Sequence, residues 1–201
     1  INHSEMVALI IDPESLPFIR DIAKDLTDLK TVFIAGDAEE IPEDISGIKI
    51  LPFTAFRDFS TDNPGVDVTV RDVERCMFTS GTTGMPKGVV REHGGVILTM
   101  RSYIQQQGVR SGDVLMSVLT LGHANAQVMC LFTAIGAGAT AVFSPRFSAS
   151  SFWKWAAECG ATCTNMLGAV AEYLWAAPPS EWDRRHRIRI VLSGPAPRNL
   201  R

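Results

Sequence analysis

A long run without a charged side chain, from Val114 to Pro145, is the feature that most constrains the fold of this chain. An uncharged run of this length could cross a membrane, yet His123, Asn125 and Gln127 interrupt it. Each of these polar groups would be costly in lipid without a partner. The run therefore predicts a strand, a loop, a helix and a second strand buried inside an α/β domain, and no membrane span.

Apolar runs alternate with amphipathic segments along most of the chain. The predicted strands are Val7–Ile11, Thr31–Ala35, Ile48–Leu51, Cys76–Thr79, Val89–Arg91, Val114–Val118, Thr140–Phe143 and Ile188–Leu192. The predicted helices are Leu16–Leu26, a segment that ends near Gln107, Gln127–Ile135, Ser148–Glu158 and Leu167–Ala176. This alternation favours an α/β fold, in which a mainly parallel sheet is flanked by helices on both faces. The polar, turn-forming segment 60–72 predicts a boundary between a first α/β subdomain, residues 1–72, and a second, residues 73–201.

Composition excludes some classes of protein. A net charge of −3 and a pI near 5.8 argue against a general nucleic-acid binder. No two of the four cysteines have the spacing of a Cys-x-x-Cys motif. Cys159 and Cys163 could form half of a metal site, but the alternative, buried thiols in a reducing compartment, is favoured. The first residues lack the order of a secretory signal, so we expect a cytoplasmic protein.

The loop Phe78–Gly88, which reads Phe-Thr-Ser-Gly-Thr-Thr-Gly-Met-Pro-Lys-Gly, carries the strongest functional signal. Its glycines allow a tight turn whose N–H groups can face an anion. Its hydroxyls add donors, and Lys87 adds a positive charge that polyphosphate would attract. Because the β-branched pair Val89-Val90 follows, we expect a strand there and no helix N-terminus to receive phosphate. The alternative is a Gly/Thr-rich hairpin turn without a ligand.

This loop resembles the phosphate-binding signature of the adenylate-forming superfamily, which includes acyl-CoA synthetases, adenylation domains of peptide synthetases and luciferases. The resemblance implies that ATP is bound through its β- and γ-phosphates. The residues implied for this role are Thr79, Ser80, Gly81, Thr82, Thr83, Gly84 and Lys87. Polyphosphate chemistry also implies Mg²⁺, for which this chain offers no assignable ligand.

The segment around His123 follows a predicted strand and precedes a predicted helix, where open α/β sheets place ligands. The superfamily has an aromatic or His position here beside its carboxylate pocket, and His123 resembles it, with Ala124 and Asn125 alongside. A neutral imidazole could orient an acyl carboxylate through one N–H. The alternative is a core histidine bonded to a backbone carbonyl. The superfamily's Pro and bulky aromatic before this position are replaced by Leu121-Gly122.

A second strand-end segment, Leu192–Pro197, resembles the superfamily's Gly-Gly-Ala-Pro turn, whose backbone packs against adenine. The residues implied for adenine contact are Gly194, Pro195, Ala196 and Pro197. Small residues let a flat base approach the main chain closely. Pro195 stands where the signature has its second glycine and lacks an N–H. A tight turn without a ligand is the alternative.

The resemblance covers essentially the whole chain but only the middle of the superfamily's larger N-terminal domain. Both ends look cut, and the ribose-binding Asp, the hinge and the C-terminal domain with its catalytic lysine have no counterpart here. No catalytic residue is therefore assigned, and we expect the isolated chain to be inactive. The function implied is an ATP-dependent acyl-CoA synthetase that takes a carboxylic acid, ATP and coenzyme A, with a likeness to carnitine- and crotonobetaine-CoA ligases. The alternatives are an acyl-AMP ligase or peptide-synthetase adenylation domain, and a nucleotide-binding module without catalysis.

Overall fold

The computed structural model describes residues 1–37, 40–79 and 84–194. The chain divides into two compact units, Ile1–Asp67 and Val68–Arg201. The boundary predicted after residue 72 stays a prediction.

The first unit is a small α/β layer. Its strands are β1 (Ala8–Ile11), β2 (Thr31–Ile34), β3 (Asp44–Ile45) and β4 (Ile48–Pro52), in the order β1-β2-β4-β3. Its helices are α1 (Leu16–Ile22) and 3₁₀ turns at Asn2–Ser4, Pro13–Ser15, Ala23–Asp25 and Phe53–Asp58. The strands β1, β2 and β4 are parallel, and β3 is antiparallel to β4. Leu16 and Ile19 of α1 share the core of this unit with Val32 and Ile50.

The second unit contains a parallel sheet and a separate hairpin. Its strands are β5 (Val73–Thr79), β6 (Lys87–Glu92), β7 (Val114–Ser117), β8 (Thr140–Phe143), β9 (Cys163–Met166) and β10 (Ile190–Ser193). Its helices are α2 (His93–Gln107), α3 (Ala124–Ala126), a π-helical segment (Gln127–Phe132), α4 (Thr133–Ala137), α5 (Phe152–Glu158), α6 (Gly168–Ala176) and a 3₁₀ turn (Glu181–Arg184). The parallel sheet has the order β10-β9-β7-β8, and β5 pairs antiparallel with β6.

The two faces of this sheet are covered by different helices. Successive residues of a strand point to opposite faces. Accordingly, Leu115 packs in a cluster with Tyr103 of α2, whereas Met116 packs with Phe152 and Ala156 of α5. The predicted arrangement, a mainly parallel sheet flanked by helices on both faces, is confirmed.

The uncharged run folds as its pattern predicts, into β7, a loop, a helical segment and β8. No helix within the described residues is both long and apolar enough to cross a membrane. The helix predicted over Gln127–Ile135 is in fact π-helical up to Phe132 and α-helical from Thr133.

Two strands were missed in the sequence. Strand β9 reads Cys-Thr-Asn-Met and lacks an apolar β-branched run, yet all four residues are buried because β7 and β10 pair with it on either side. Strand β3 has only two residues and depends on its pairing with β4. Tertiary pairing decided both, since local propensity is weak in each case.

The cysteines are free, and three of them are shielded from solvent. Cys130 and Cys163 are buried and Cys159 is half-buried, whereas Cys76 is exposed on the hairpin, contrary to the expectation of buried thiols. Burial raises the pKa of the Cys130 thiol to about 12. Within the described residues, no group of three His, Cys, Asp or Glu side chains could hold a metal ion.

Candidate active site

The loop with the phosphate-binding signature connects the two strands of the β5–β6 hairpin. Thr79, the last residue of β5, is paired with Lys87, the first residue of β6. The Thr79 hydroxyl donates to the Lys87 carbonyl over 3.4 Å. Both residues are exposed, as is Gly84. A strand follows the loop, as predicted. Four residues predicted to bind phosphate lie outside the described residues, namely Ser80, Gly81, Thr82 and Thr83.

Packing between the strands explains one glycine of this motif. A Cβ atom at Gly88 would lie 2.7 Å from the Cys76 Sγ and 3.4 Å from the Phe78 ring. Real Cβ atoms essentially never lie within 3.0 Å of another heavy atom, so a side chain here would displace one of these neighbours. Gly88 therefore serves the packing of the hairpin, on the face opposite to Thr79 and Lys87.

The opposite face of the hairpin carries three cross-strand pairs of side chains. The cross-strand pairs Thr79–Lys87, Met77–Val89 and Arg75–Arg91 share this face, since residues two apart on a strand point the same way. Sequence analysis missed Arg75 and Arg91. Arg91 ends the predicted strand Val89–Arg91 and Arg75 directly precedes the predicted strand Cys76–Thr79, so their even spacing from Lys87 and Thr79 was the available signal.

His123 lies beyond β7, in the loop at the carboxyl end of the parallel sheet. Its side chain is exposed and caps α3, where its Nδ1 accepts from the Asn125 N–H over 3.2 Å. A neutral imidazole with an accepting Nδ1 carries its proton on Nε2. The exposure does not fit the core-histidine alternative. It leaves an N–H that can donate to a ligand.

A buried asparagine ties this loop to the sheet. Asn165 of β9 is only 2% exposed, and its side-chain Nδ2 donates to the side-chain Oδ1 of Asn125. A buried amide without a partner would cost free energy, so this bond stabilises the loop in one position. Sequence analysis did not identify Asn165, because it lies in the strand that was missed.

Gln127 links the same loop to the hairpin. Its Nε2 donates to the Leu121 carbonyl over 2.6 Å, and its Oε1 accepts from the Arg75 guanidinium. Gln127 begins the π-helical segment, a geometry that is often found at functional sites. The wider turn of the π-helix therefore begins at Gln127, the residue that connects the His123 loop to the hairpin.

These elements enclose a cavity of about 750 Å³. Four residues predicted for the site line it, namely Thr79, His123, Ala124 and Asn125. Other lining residues include Arg75, Met77, Val89, Arg91, Thr99, Val128 and Met129. The volume lies in the range typical of small-molecule sites, and the lining combines apolar side chains with a few polar groups, as such sites do.

The predicted adenine turn begins at the same edge of the parallel sheet. Gly194 directly follows β10, and its N–H donates to the Met166 carbonyl at the end of β9 over 3.2 Å. Pro195, Ala196 and Pro197 lie outside the described residues. Contact with adenine, and the ligand-free turn, both remain hypotheses for this segment.

The amino ends of the same strands carry a partly buried ionic cluster. Asp113, 3% exposed, accepts from the Arg110 N–H at 2.9 Å and the Thr162 hydroxyl at 2.8 Å, and it pairs with the Arg189 guanidinium. Burial raises the pKa of Asp113, but these hydrogen bonds and the charge of Arg189 outweigh burial and hold the pKa below its usual value. The cluster joins β7, β9 and β10 at the edge away from the cavity.

Known proteins resemble this chain in sequence and in fold. A family model described as AMP-binding enzyme matches residues 1–200. Crotonobetaine/carnitine–CoA ligases from Shigella flexneri serotype 5b (strain 8401) and Salmonella typhi are each 28% identical over 96% of this chain. The chain spans 37% of the length of these relatives.

Solved structures share the fold. The anthranilate–CoA ligase AuaEII in complex with anthranoyl-AMP superposes with a TM-score of 0.80 at 22% identity, over 94% of this chain and 36% of that one. ATP-bound MatB from Rhodopseudomonas palustris gives a TM-score of 0.73 at 19% identity, over 96% of this chain and 36% of that one. At these identities the likeness concerns the fold.

Proposed function

Because this chain belongs to the AMP-binding enzyme family, we propose that the protein is an ATP-dependent acyl-CoA synthetase. A carboxylate oxygen attacks the α-phosphorus of ATP, the bond to the β-phosphate bridging oxygen breaks, and acyl-AMP and pyrophosphate form. The thiol of coenzyme A then displaces AMP to give the thioester. The observation that carries this proposal is the cavity, because Thr79, at the start of the phosphate loop, and His123 both line it.

The residues have separate roles in this scheme. The loop residues Thr79 to Gly84 and Lys87 hold the β- and γ-phosphates, where negative charge builds as pyrophosphate leaves. The His123 Nε2–H donates to the acyl carboxylate and orients it for attack. Asn165 and Gln127 hold the His123 loop in place through Asn125 and Leu121. Mg²⁺ accompanies ATP, and no residue described here is assigned to it.

The cavity lining favours an acyl substrate over an amino acid. Peptide-synthetase adenylation domains need an acidic side chain to pair the amino group of their substrate. None of the described residues that line the cavity is Asp or Glu. The alternative of a peptide-synthetase domain is therefore less well supported than an acyl-CoA synthetase.

The first test measures pyrophosphate release. The full-length protein should release pyrophosphate from ATP only when a carboxylic acid is present, and should form a thioester only when coenzyme A is added. The isolated 201-residue chain should release none, because positioning of the reactants requires groups outside it. Binding of ATP by the full-length protein with no acid-dependent release across a panel of carboxylic acids would instead indicate a module without catalysis.

His123→Ala should change the use of the acid and leave the use of ATP nearly unchanged. The side chain lies in a loop separate from the phosphate loop, so its loss removes a donor to the carboxylate. We expect kcat/KM for the acid to fall about tenfold, near the lower end of the range for a hydrogen bond to a charged acceptor. Steady-state kinetics with each substrate varied in turn check this.

A second substitution separates catalysis from capping. His123→Asn keeps a side-chain oxygen that can accept the Asn125 N–H, so it preserves the cap of α3 but not the Nε2 donor. Both variants should lose acid affinity, whereas only His123→Ala should lower thermal stability. A normal KM for the acid in His123→Asn would assign His123 to capping alone.

A further inference from the structure

Two arginines face each other across the hairpin, and both line the cavity beside His123. Arg75 of β5 and Arg91 of β6 are direct cross-strand partners. Like charges at such positions destabilise a sheet, because their Cβ atoms are about 5 Å apart. A pair of this kind persists when another group balances the charge.

The charge of Arg75 is balanced within the protein. Its Nε lies 3.0 Å from a carboxylate oxygen of Glu74, and its Nη1 donates to Gln127. Its guanidinium also lies 5.4 Å from the centre of the Phe132 ring. Its side chain is only 13% exposed. Arg75 therefore serves to position the hairpin against the helical segment.

The charge of Arg91 is not balanced in this way. Within the described part of the chain, its guanidinium has no hydrogen-bond or ion-pair partner, and the residue is exposed to the cavity it lines. No described carboxylate lines that cavity. A guanidinium presents a rigid fork of N–H donors that matches a carboxylate in a two-bond arrangement. The cavity is thus lined by two groups that can donate to a carboxylate, the His123 imidazole and the Arg91 guanidinium.

We propose that Arg91 binds a second carboxylate, so that the cavity takes dicarboxylic acids. The proposal rests on the proposed function, because His123 is taken to hold the carboxylate that is activated. It sets this chain apart from relatives named for crotonobetaine and carnitine, because an arginine-lined cavity would repel the quaternary ammonium group of those two compounds. The apolar side chains of Met77, Val89 and Val128 line the cavity and suit the methylene chain between the two carboxylates.

Matched pairs of acids test this proposal in the full-length protein. Hexanoate is compared with adipate and octanoate with suberate, and kcat/KM is measured by pyrophosphate release at saturating ATP. The wild-type protein should prefer the diacid of each pair. Arg91→Leu should lower kcat/KM for the diacids about ten- to a hundredfold, the loss of one charge-assisted contact, and leave the monoacids nearly unchanged. Arg91→Lys should keep part of the preference, because a point charge replaces the fork.

Controls keep the result interpretable. Arg101→Leu makes the same change at an exposed position of α2 that does not line the cavity, so it should leave the diacid preference intact. If Arg91→Leu proves unstable, Arg91→Gln removes the charge with a polar side chain, and it should lose the same preference. Thermal unfolding of each variant identifies loss of the fold.

The outcomes separate the two proposals. Activation of monoacids with no activity on diacids would overturn the role of Arg91 and leave the acyl-CoA synthetase function standing. An equal loss on both acids, or a raised KM for ATP alone, would also overturn it and assign Arg91 to the nucleotide or to the hairpin. Absence of acid-dependent pyrophosphate release with every acid would overturn both proposals.

Discussion

Replacing Lys87 by alanine in the full-length protein should lower kcat/KM for ATP about ten- to a hundredfold. The ammonium group lies at the start of β6, opposite Thr79, where the hairpin opens into the loop. A charge-assisted contact with polyphosphate contributes about 1.5–3 kcal/mol, which corresponds to this range. Kinetics with ATP varied at saturating acid measure the effect.

A matched control distinguishes an effect of Lys87 at the phosphate loop from a general effect of losing one positive charge. Lys154→Ala removes the same group from α5, where the lysine is exposed and lies 3.8 Å from Glu158. Exposed ion pairs of this kind contribute little to stability, and Lys154 lies outside the phosphate loop, so ATP kinetics should not change. Equal ATP dependence in the wild type and in Lys87→Ala would make the loop structural and favour the ligand-free hairpin.

Asp113→Asn should lower the free energy of unfolding of the second unit by about 2–3 kcal/mol at neutral pH. The substitution removes the charge that Arg189 pairs with and weakens the bonds from Thr162 and the Arg110 N–H. The cost stays below that of a fully buried pair because the Arg189 side chain is 37% exposed. Urea unfolding gives the size of the loss. Hydrogen exchange of β7 and β9 peptides shows where it occurs.

The effect of Asp113 depends on pH with a definite sign. Its pKa is lower in the folded protein than in the unfolded chain. The stabilisation is therefore fully present above the unfolded value of about 3.9 and is lost as the pH falls through the folded pKa. The difference between the wild type and Asp113→Asn should be largest at pH 7 and shrink below about pH 4. A difference that stays constant down to pH 3 would contradict an electrostatic role for Asp113.

The amino and carboxyl ends of the parallel strands have different roles, the first in stability and the second in the proposed binding site. At the amino ends, Asp113, Thr162 and Arg189 hold neighbouring strands together. At the carboxyl ends, the His123 loop presents polar side chains, as open α/β sheets generally do. A destabilising change at the first end should therefore lower stability without altering substrate preference, whereas His123→Asn or Arg91→Leu should alter the use of the acid with little loss of stability.

Local chemistry determined a large part of what the sequence predicts. Glycines, hydroxyls and Lys87 within one loop indicate an anion site because few other structures need that combination. The β-branched pair Val89-Val90 predicted the strand that follows, which the structure confirms. Hydrophobic pattern alone gave most of the parallel sheet, since period-2 and helical patterns alternate clearly. The role of His123 in binding stays a prediction, although its strand-end position is as expected.

Only the tertiary structure decided the rest. Strand β9 forms because β7 and β10 pair with both of its edges, and nothing in Cys-Thr-Asn-Met requires a strand. Asn165 meets Asn125 only because that strand is in place. Arg91 lies opposite Arg75 because the hairpin sets the cross-strand register, and it shares a cavity with His123 because the hairpin packs beside the loop after β7. Such contacts join residues far apart in the chain, so local propensity carries no information about them. The proposed substrate class rests on these contacts.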